Sequence, residues 1–252
     1  MKEIAENAFY RDRKGKVSHL KFNESIYTRT PLGPEEGATQ LKVKPVRPVK
    51  TLLKEALAAE PPKETGDFLP SDLVELRKLD PTIKLDVRYA TTNNFTHEKI
   101  YNLAKAYARK PVAESLKKAQ ADFSKLGVGI KIFDAYRPYK ATVKFYEVYH
   151  DTTYVASPYR GSRHNRGCAI DMTIIDLKTG NELQMPTGFD SFKKEAWPTT
   201  PVKDPVIKKN RDMIISVMEK HGFKVNASEW WHFDFIGWKK YEVLDIDYEE
   251  LE

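Results

Sequence analysis

The feature that most constrains this chain is a single acid set inside an apolar, β-branched run, Cys168-Ala169-Ile170-Asp171-Met172-Thr173-Ile174-Ile175. Such a run reads as a buried strand, in which Asp171 shares a face with Ala169 and Thr173 and turns away from Ile170, Met172 and Ile174. A carboxylate in that position is costly unless it is paired, hydrogen-bonded or bound to a metal. The fold must therefore give Asp171 a partner.

The loop before it, Gly161-Ser162-Arg163-His164-Asn165-Arg166-Gly167, offers one. A tight turn at Gly167 folds His164 back toward Asp171, so that both reach one ion at about 2.0–2.2 Å. The plainer alternative is that Asp171 accepts hydrogen bonds from loop amides. Further along, Glu229-Trp230-Trp231-His232 adds a second imidazole and another carboxylate. Three N/O ligands with a carboxylate held back as base are what a hydrolytic zinc site requires, and this donor set suits zinc better than calcium or magnesium.

Residues three apart on a strict strand face opposite ways. If His232 faces a metal, Glu229 must sit in a bend ahead of the strand, which Asn226-Ala227-Ser228 can form. From there it can take a proton from an activated water. At least one of Trp230 and Trp231 belongs in the core. A third fragment, Asp134-Ala135-Tyr136-Arg137-Pro138, places an arginine just past a strand end. Arg137 either aims its guanidinium at a developing oxyanion or makes a surface ion pair with Asp134. His221, at a helix end before Gly222, offsets the helix dipole; His97 and His150 read as surface residues, and His19 lies in the N-terminal segment. Cys168 is the only cysteine. It excludes an intrachain disulfide and reads as a small buried side chain without a base partner, not a nucleophile.

Strands are expected at Ile83–Tyr89, Val128–Phe133, Cys168–Ile175 and Trp231–Phe235. Helices are expected from Pro111, with Val112, Leu116, Ala119, Phe123 and Leu126 on one face, from Tyr139 to His150, and from Asp204-Pro205, with Val206, Met213, Ile214 and Val217 together. These alternate without regular βαβ units or a glycine fingerprint, which predicts an α+β fold with a mainly antiparallel sheet. Residues 1–65 read as a basic, proline-punctuated extension, extended over Leu41–Pro48 and helical only at Thr51–Ala59; residues 66–252 read as the catalytic domain.

The extension holds thirteen Lys/Arg against nine Asp/Glu, so +4 of the formal +6 lies there. That excess reads as a solvated surface, and no nucleic-acid motif accompanies it. No apolar run is long enough to span a membrane. The start lacks the apolar core of an export signal, which points to the cytoplasm, or to the periplasm or exterior if a leader preceded it.

The pattern Ser162-x-His164-x-x-Gly167-x-Ala169-x-Asp171, followed by Glu229-Trp230-Trp231-His232, resembles the D-alanyl-D-alanine dipeptidases of the VanX type. Arg88-Tyr89-Ala90-Thr91-x-x-Asn94-Phe95, Asp134–Pro138 and Met185-Pro186-Thr187-Gly188-Phe189-Asp190 match segments of that family in the same order, and the likeness covers roughly Asp67 to the C-terminus. The resemblance implies one zinc per chain, with His164, Asp171 and His232 as ligands, Glu229 as acid/base and Arg137 stabilising the tetrahedral intermediate. It implies Tyr89, Ser162 and Asp190 in a small substrate pocket, Asp190 toward the dipeptide's ammonium. It also implies the small α+β zinc-peptidase fold shared with DD-carboxypeptidases and the hedgehog signalling domain. Two other functions fit some of these residues: a DD-carboxypeptidase or endopeptidase acting on peptidoglycan stem peptides, and a non-catalytic zinc-stabilised module binding cell-wall peptides. The second has no need of Glu229 or Arg137.

Overall fold

Val128–Asp134 (β7) and Ala169–Asp176 (β8) pair antiparallel at the centre of the sheet, as their alternation requires. The structure, a computed structural model, describes residues 7–11, 17–22 and 25–28 as backbone strands, and residues 45–70 and 72–252 in full. It divides into two compact units, Met1–Ala38 and Thr39–Glu252.

In the first unit, Asn7–Arg11 (β1), Val17–Phe22 (β2) and Ser25–Thr28 (β3) form an antiparallel sheet in the order β1-β2-β3, with a bulge between Tyr10 and Arg11. The sequence reading found no strand here, although the β-branched and aromatic residues of these segments favour one. Of the expected extended segment Leu41–Pro48, residues 41–44 lie outside the described residues.

The second unit opens with helix α1 (Val49–Ala56), which contacts α4 (Tyr139–Val148) and buries Leu52 and Ala56. Helix α1 thus packs within the larger compact unit, Thr39–Glu252. Leu73–Glu75 (β4), a short helical turn at Leu76–Leu79 (α2), Lys84–Leu85 (β5) and Tyr107–Arg109 (β6) follow, with β4 and β6 paired antiparallel. Then come α3 (Lys110–Lys125), β7, α4, β8, α5 (Pro205–Lys220), β9 (Phe223–Val225) and β10 (His232–Phe235). The main sheet runs β5-β7-β8-β10-β9; only β5-β7 is parallel. The α+β, mainly antiparallel reading holds.

Three local expectations change. The strand expected over Ile83–Tyr89 stops at Leu85, and Arg88–Ala90 turns as a 3₁₀ helix with Arg88 and Tyr89 buried. Leu126 is exposed, because α3 has ended and Gly127, with φ +78°, takes the left-handed cap. Val206 is exposed in the first turn of α5, where Asp204 caps the helix by accepting from the amides of Val206 and Ile207; Ile214 and Met218 carry its buried face. His221 caps the other end and reaches Asp122 Oδ2 at 3.0 Å.

Ile170, Met172 and Ile174 enter the main core with Leu116, Phe123, Ile214 and Met218, while Asp171 and Thr173 face the other side of the sheet. No helix among the described residues is long and apolar enough to cross a membrane.

Candidate active site

Antiparallel pairing places His232 directly opposite Asp171 on neighbouring strands β10 and β8. The two side chains therefore share a sheet face although far apart in sequence. His232 Nδ1 lies 3.0 Å from Asp171 Oδ1.

The loop 161–167 delivers His164 to the same point. Gly167 has φ +66°, and a Cβ there would lie 2.7 Å from Leu73 Cδ2 and 3.2 Å from the Arg109 amide, so the turn admits only glycine. The His164 amide donates to Ser162 Oγ, and the Ser162 amide donates to Asn165 Oδ1. Asn165, fully buried, donates through Nδ2 to the Arg137 carbonyl and to Thr142 Oγ1, tying the loop to the start of α4. His164 Nε2 ends 3.3 Å from Asp171 Oδ2 and 3.2 Å from His232 Nδ1.

One ligand atom from each of His164, Asp171 and His232 lies within 4.8 Å of the others. The outer nitrogens are committed elsewhere: His164 Nδ1 is 2.6 Å from the Ala135 carbonyl, and His232 Nε2 is 2.9 Å from Asp234 Oδ1. Such outer contacts orient imidazoles that bind metals. Asp171 Oδ1 is buried, its polar neighbour being His232 Nδ1 at 3.0 Å. A buried carboxylate between two inward-facing imidazole nitrogens fits a divalent cation, and the N₂O donor set suits zinc. Asp234 escaped the sequence reading, although its position two residues beyond His232, on the same strand face, was a usable signal.

Glu229 sits in the irregular segment before β10, past a bend at Ala227-Ser228 in which the Ser228 amide donates to Asn226 Oδ1. The bend turns its carboxylate toward the cluster, with Oε2 3.7 Å from His232 Nδ1. The Glu229 carboxylate makes no hydrogen bond among the described residues. Burial, reinforced by Asp171, pushes its carboxyl up to about 8, against the opposing pull of His232 and Arg137. A cation alongside would draw it back down. Trp230 and Trp231 are both core residues.

Arg137 is buried, as is its ion pair with Asp134: Nε and a terminal nitrogen reach Asp134 Oδ2 at 3.0 and 2.8 Å. Tyr101 donates to Asp134 Oδ1 at 3.0 Å. The surface pair considered from sequence is thus an interior one. The guanidinium is clamped over the rings of Phe145 and Tyr89, 4.7 and 5.5 Å from their centroids, and stands 3.9 Å from Asp171 Oδ2.

Across the pocket, Asp190 has φ +55° and accepts from Tyr89 Oη at 3.0 and 3.1 Å. Burial holds its carboxyl well above the usual carboxylate range, with Asp171 and Glu229 adding to the effect. Asp171 and Asp234 show the reverse: burial would raise both, but the imidazoles beside them hold both low. Burial would likewise lower His232, yet Asp234 and Asp171 raise it well above its ordinary value.

All eight side chains singled out from sequence, namely Tyr89, Arg137, Ser162, His164, Asp171, Asp190, Glu229 and His232, line one cavity of about 110 Å³. That is far below the roughly 300–1,000 Å³ of ordinary ligand clefts, which favours a very small ligand. Cys168 is fully buried, and burial raises its thiol to about 12.

A sequence model of the D-ala-D-ala dipeptidase family matches residues 70–249. The chain is 33% identical over 174 residues to a D-alanyl-D-alanine dipeptidase of Escherichia coli, spanning 69% of this chain and 90% of that one. It is 29% identical over 174 residues to a D-alanyl-D-alanine dipeptidase of Enterococcus faecalis, spanning 61% and 86%. Among solved structures, the LD-carboxypeptidase LdcB is 22% identical, with a TM-score of 0.39 over 69% of this chain and 72% of its own. The D,D-pentapeptidase VanY, solved with Zn(II), is 15% identical, with a TM-score of 0.32 over 53% and 75%.

Proposed function

The chain belongs to the D-Ala-D-Ala dipeptidase family and is a peptidase, and from that premise we propose that it hydrolyses D-alanyl-D-alanine to free D-alanine at one zinc ion held by His164, Asp171 and His232. The observation that carries this reading is the buried Asp171 carboxylate facing two imidazole nitrogens, with the Glu229 carboxylate alongside. A zinc ion bound there would polarise the scissile carbonyl and lower the pKa of water.

The chain's own residues supply the rest. Glu229 accepts a proton from the attacking water and passes it to the leaving amine, a role suited to a carboxylate with no competing hydrogen bond. Arg137, fixed by Asp134 and two aromatic rings, offers a preorganised positive charge to the oxyanion that develops on the carbonyl. Asp190, buried with no cation at hydrogen-bonding distance among the described residues, receives the dipeptide's ammonium, and Tyr89 holds the Asp190 carboxylate in place. Ser162 acts first on the loop, because its hydroxyl caps the His164 amide.

A carboxypeptidase acting on longer stem peptides would use the same metal and base. The small cavity and the buried Asp190 favour the dipeptide, since the ammonium of a longer peptide would lie elsewhere. The deciding experiment incubates the zinc-loaded protein with D-Ala-D-Ala and, separately, with a pentapeptide ending in D-Ala-D-Ala, and measures free D-alanine. Release from the dipeptide alone is expected; release from the pentapeptide alone would assign a carboxypeptidase, and release from neither would overturn the reading.

A further inference from the structure

Among the described residues the cavity wall contains two arginines and no lysine, and only one of the two has a task in the reaction set out above. Arg137 is buried and bound through two nitrogens to Asp134. Arg163, one residue before His164, is its opposite: its side chain is 47% exposed and makes no hydrogen bond among the described residues. It lies over the Trp238 ring, 4.9 Å from the centroid, with Nε 3.7 Å from Asp234 Oδ2. Stacking of this kind fixes the guanidinium plane at little entropic cost and leaves its edge available for a bidentate partner.

Position makes Arg163 more than a surface cation. Its carboxylate neighbour Asp234 also bonds His232 Nε2, so the guanidinium stands on the outer flank of the His164–Asp171–His232 cluster. Asp190 stands elsewhere, bonded to Tyr89 and influenced by Asp171, Glu229 and Arg137. The cavity thus has a negative group in one part, a metal-ligand cluster, and a half-exposed cation at the flank of that cluster. A zwitterionic dipeptide bound with its ammonium at Asp190 and its peptide bond at the cluster must place its carboxylate beyond the cluster. Arg163 is the cation left to meet it.

We propose that Arg163 is the specificity residue that binds the C-terminal carboxylate of the substrate, an inference that rests on the dipeptidase reading above. Asp234 then serves twice, orienting His232 and steadying Arg163. Loss of the guanidinium weakens binding of a free acid while leaving an uncharged C-terminus unaffected, because only the acid forms the charge-assisted bidentate pair.

The test compares zinc-loaded wild type, Arg163→Gln and Arg163→Lys on D-Ala-D-Ala and on its C-terminal amide, reading KM and kcat separately and measuring bound zinc. Wild type should prefer the acid over the amide by at least about tenfold in kcat/KM. Arg163→Gln should lose most of that preference through KM, with full zinc, and Arg163→Lys should keep part of it. Undiminished acid preference in Arg163→Gln would overturn the inference, as would a wild type indifferent to amidation. Loss of zinc in Arg163→Gln would overturn it too, placing the residue's effect on His232 through Asp234. A wild type that cleaves neither compound would instead defeat the dipeptidase reading itself.

Discussion

Two parts of the pocket wall are buried alike and behave oppositely. Asp171 and Asp190 are each 3% exposed and Glu229 is 6% exposed, yet Asp171 is held low while Asp190 and Glu229 are pushed up. Desolvation raises all three, so burial does not separate them. Partners do. Asp171 stands within 3.3 Å of two imidazoles. Asp190 is hydrogen-bonded by the Tyr89 phenol, and neither that bond nor Arg137 offsets its burial, just as the positive charges nearest Glu229 do not outweigh its burial. The first part is a cluster whose charges already compensate one another and which can close on an ion. The second keeps acidic groups short of positive charge, which suits a substrate that brings a cation and a reaction that moves a proton.

The strongest test of this contrast removes one group from each part. His164→Ala should abolish both bound zinc and dipeptide hydrolysis. Glu229→Ala should keep zinc and lose about 10²–10⁴-fold or more in kcat. Elemental analysis beside a D-alanine assay separates the two outcomes; full zinc occupancy in His164→Ala, or wild-type turnover in Glu229→Ala, would erase the distinction. Asp234→Asn probes the outer support of the compensated part. It should weaken zinc about 10–100-fold in a chelator competition, and an unchanged affinity would mean that the Asp234–His232 contact orients nothing.

Asp190→Asn tests the uncompensated part. The KM for D-Ala-D-Ala should rise about tenfold or more, because the ammonium loses a charged partner. The same substitution has a pH signature in zinc-stripped protein. A carboxyl whose folded-state pKa is raised contributes stability at low pH that is lost as pH climbs through that value. Wild-type melting temperature should therefore fall as pH rises above the ordinary carboxylate range, and Asp190→Asn should shrink the fall. An equal fall in both proteins would assign the loss to other groups. The smallest effect concerns Cys168, which precedes β8. With its thiol raised to about 12, alkylation of the folded protein at neutral pH should be far slower than of the denatured chain. Rapid labelling would contradict its burial.

Legibility from sequence followed the range of the interaction. Alternation along Ala169–Asp176 and the long apolar face of α3 were readable because both patterns are local. The bend before β10 was readable from the parity conflict between Glu229 and His232. Where local signals were weak, the reading failed. Arg88-Tyr89 alternates like a strand but turns, because tertiary burial of both residues overrides β propensity. The three short N-terminal strands lacked strict alternation.

The site divides the same way. Sequence alone determined the donor types, the glycine turn at Gly167, the parity that turns Asp171 away from Ile170 and Met172, and the bend that frees Glu229. Those are consequences of covalent spacing and backbone geometry, which act over a few residues. The tertiary structure alone decided that β10 lies beside β8 with His232 opposite Asp171, that the Ala135 carbonyl and Asp234 occupy the outer imidazole nitrogens, and that Arg137 is an interior cation. It also set Asp190 against Tyr89, 101 residues away. Strand order and register are set by how the whole core packs, and no local pattern carries that information.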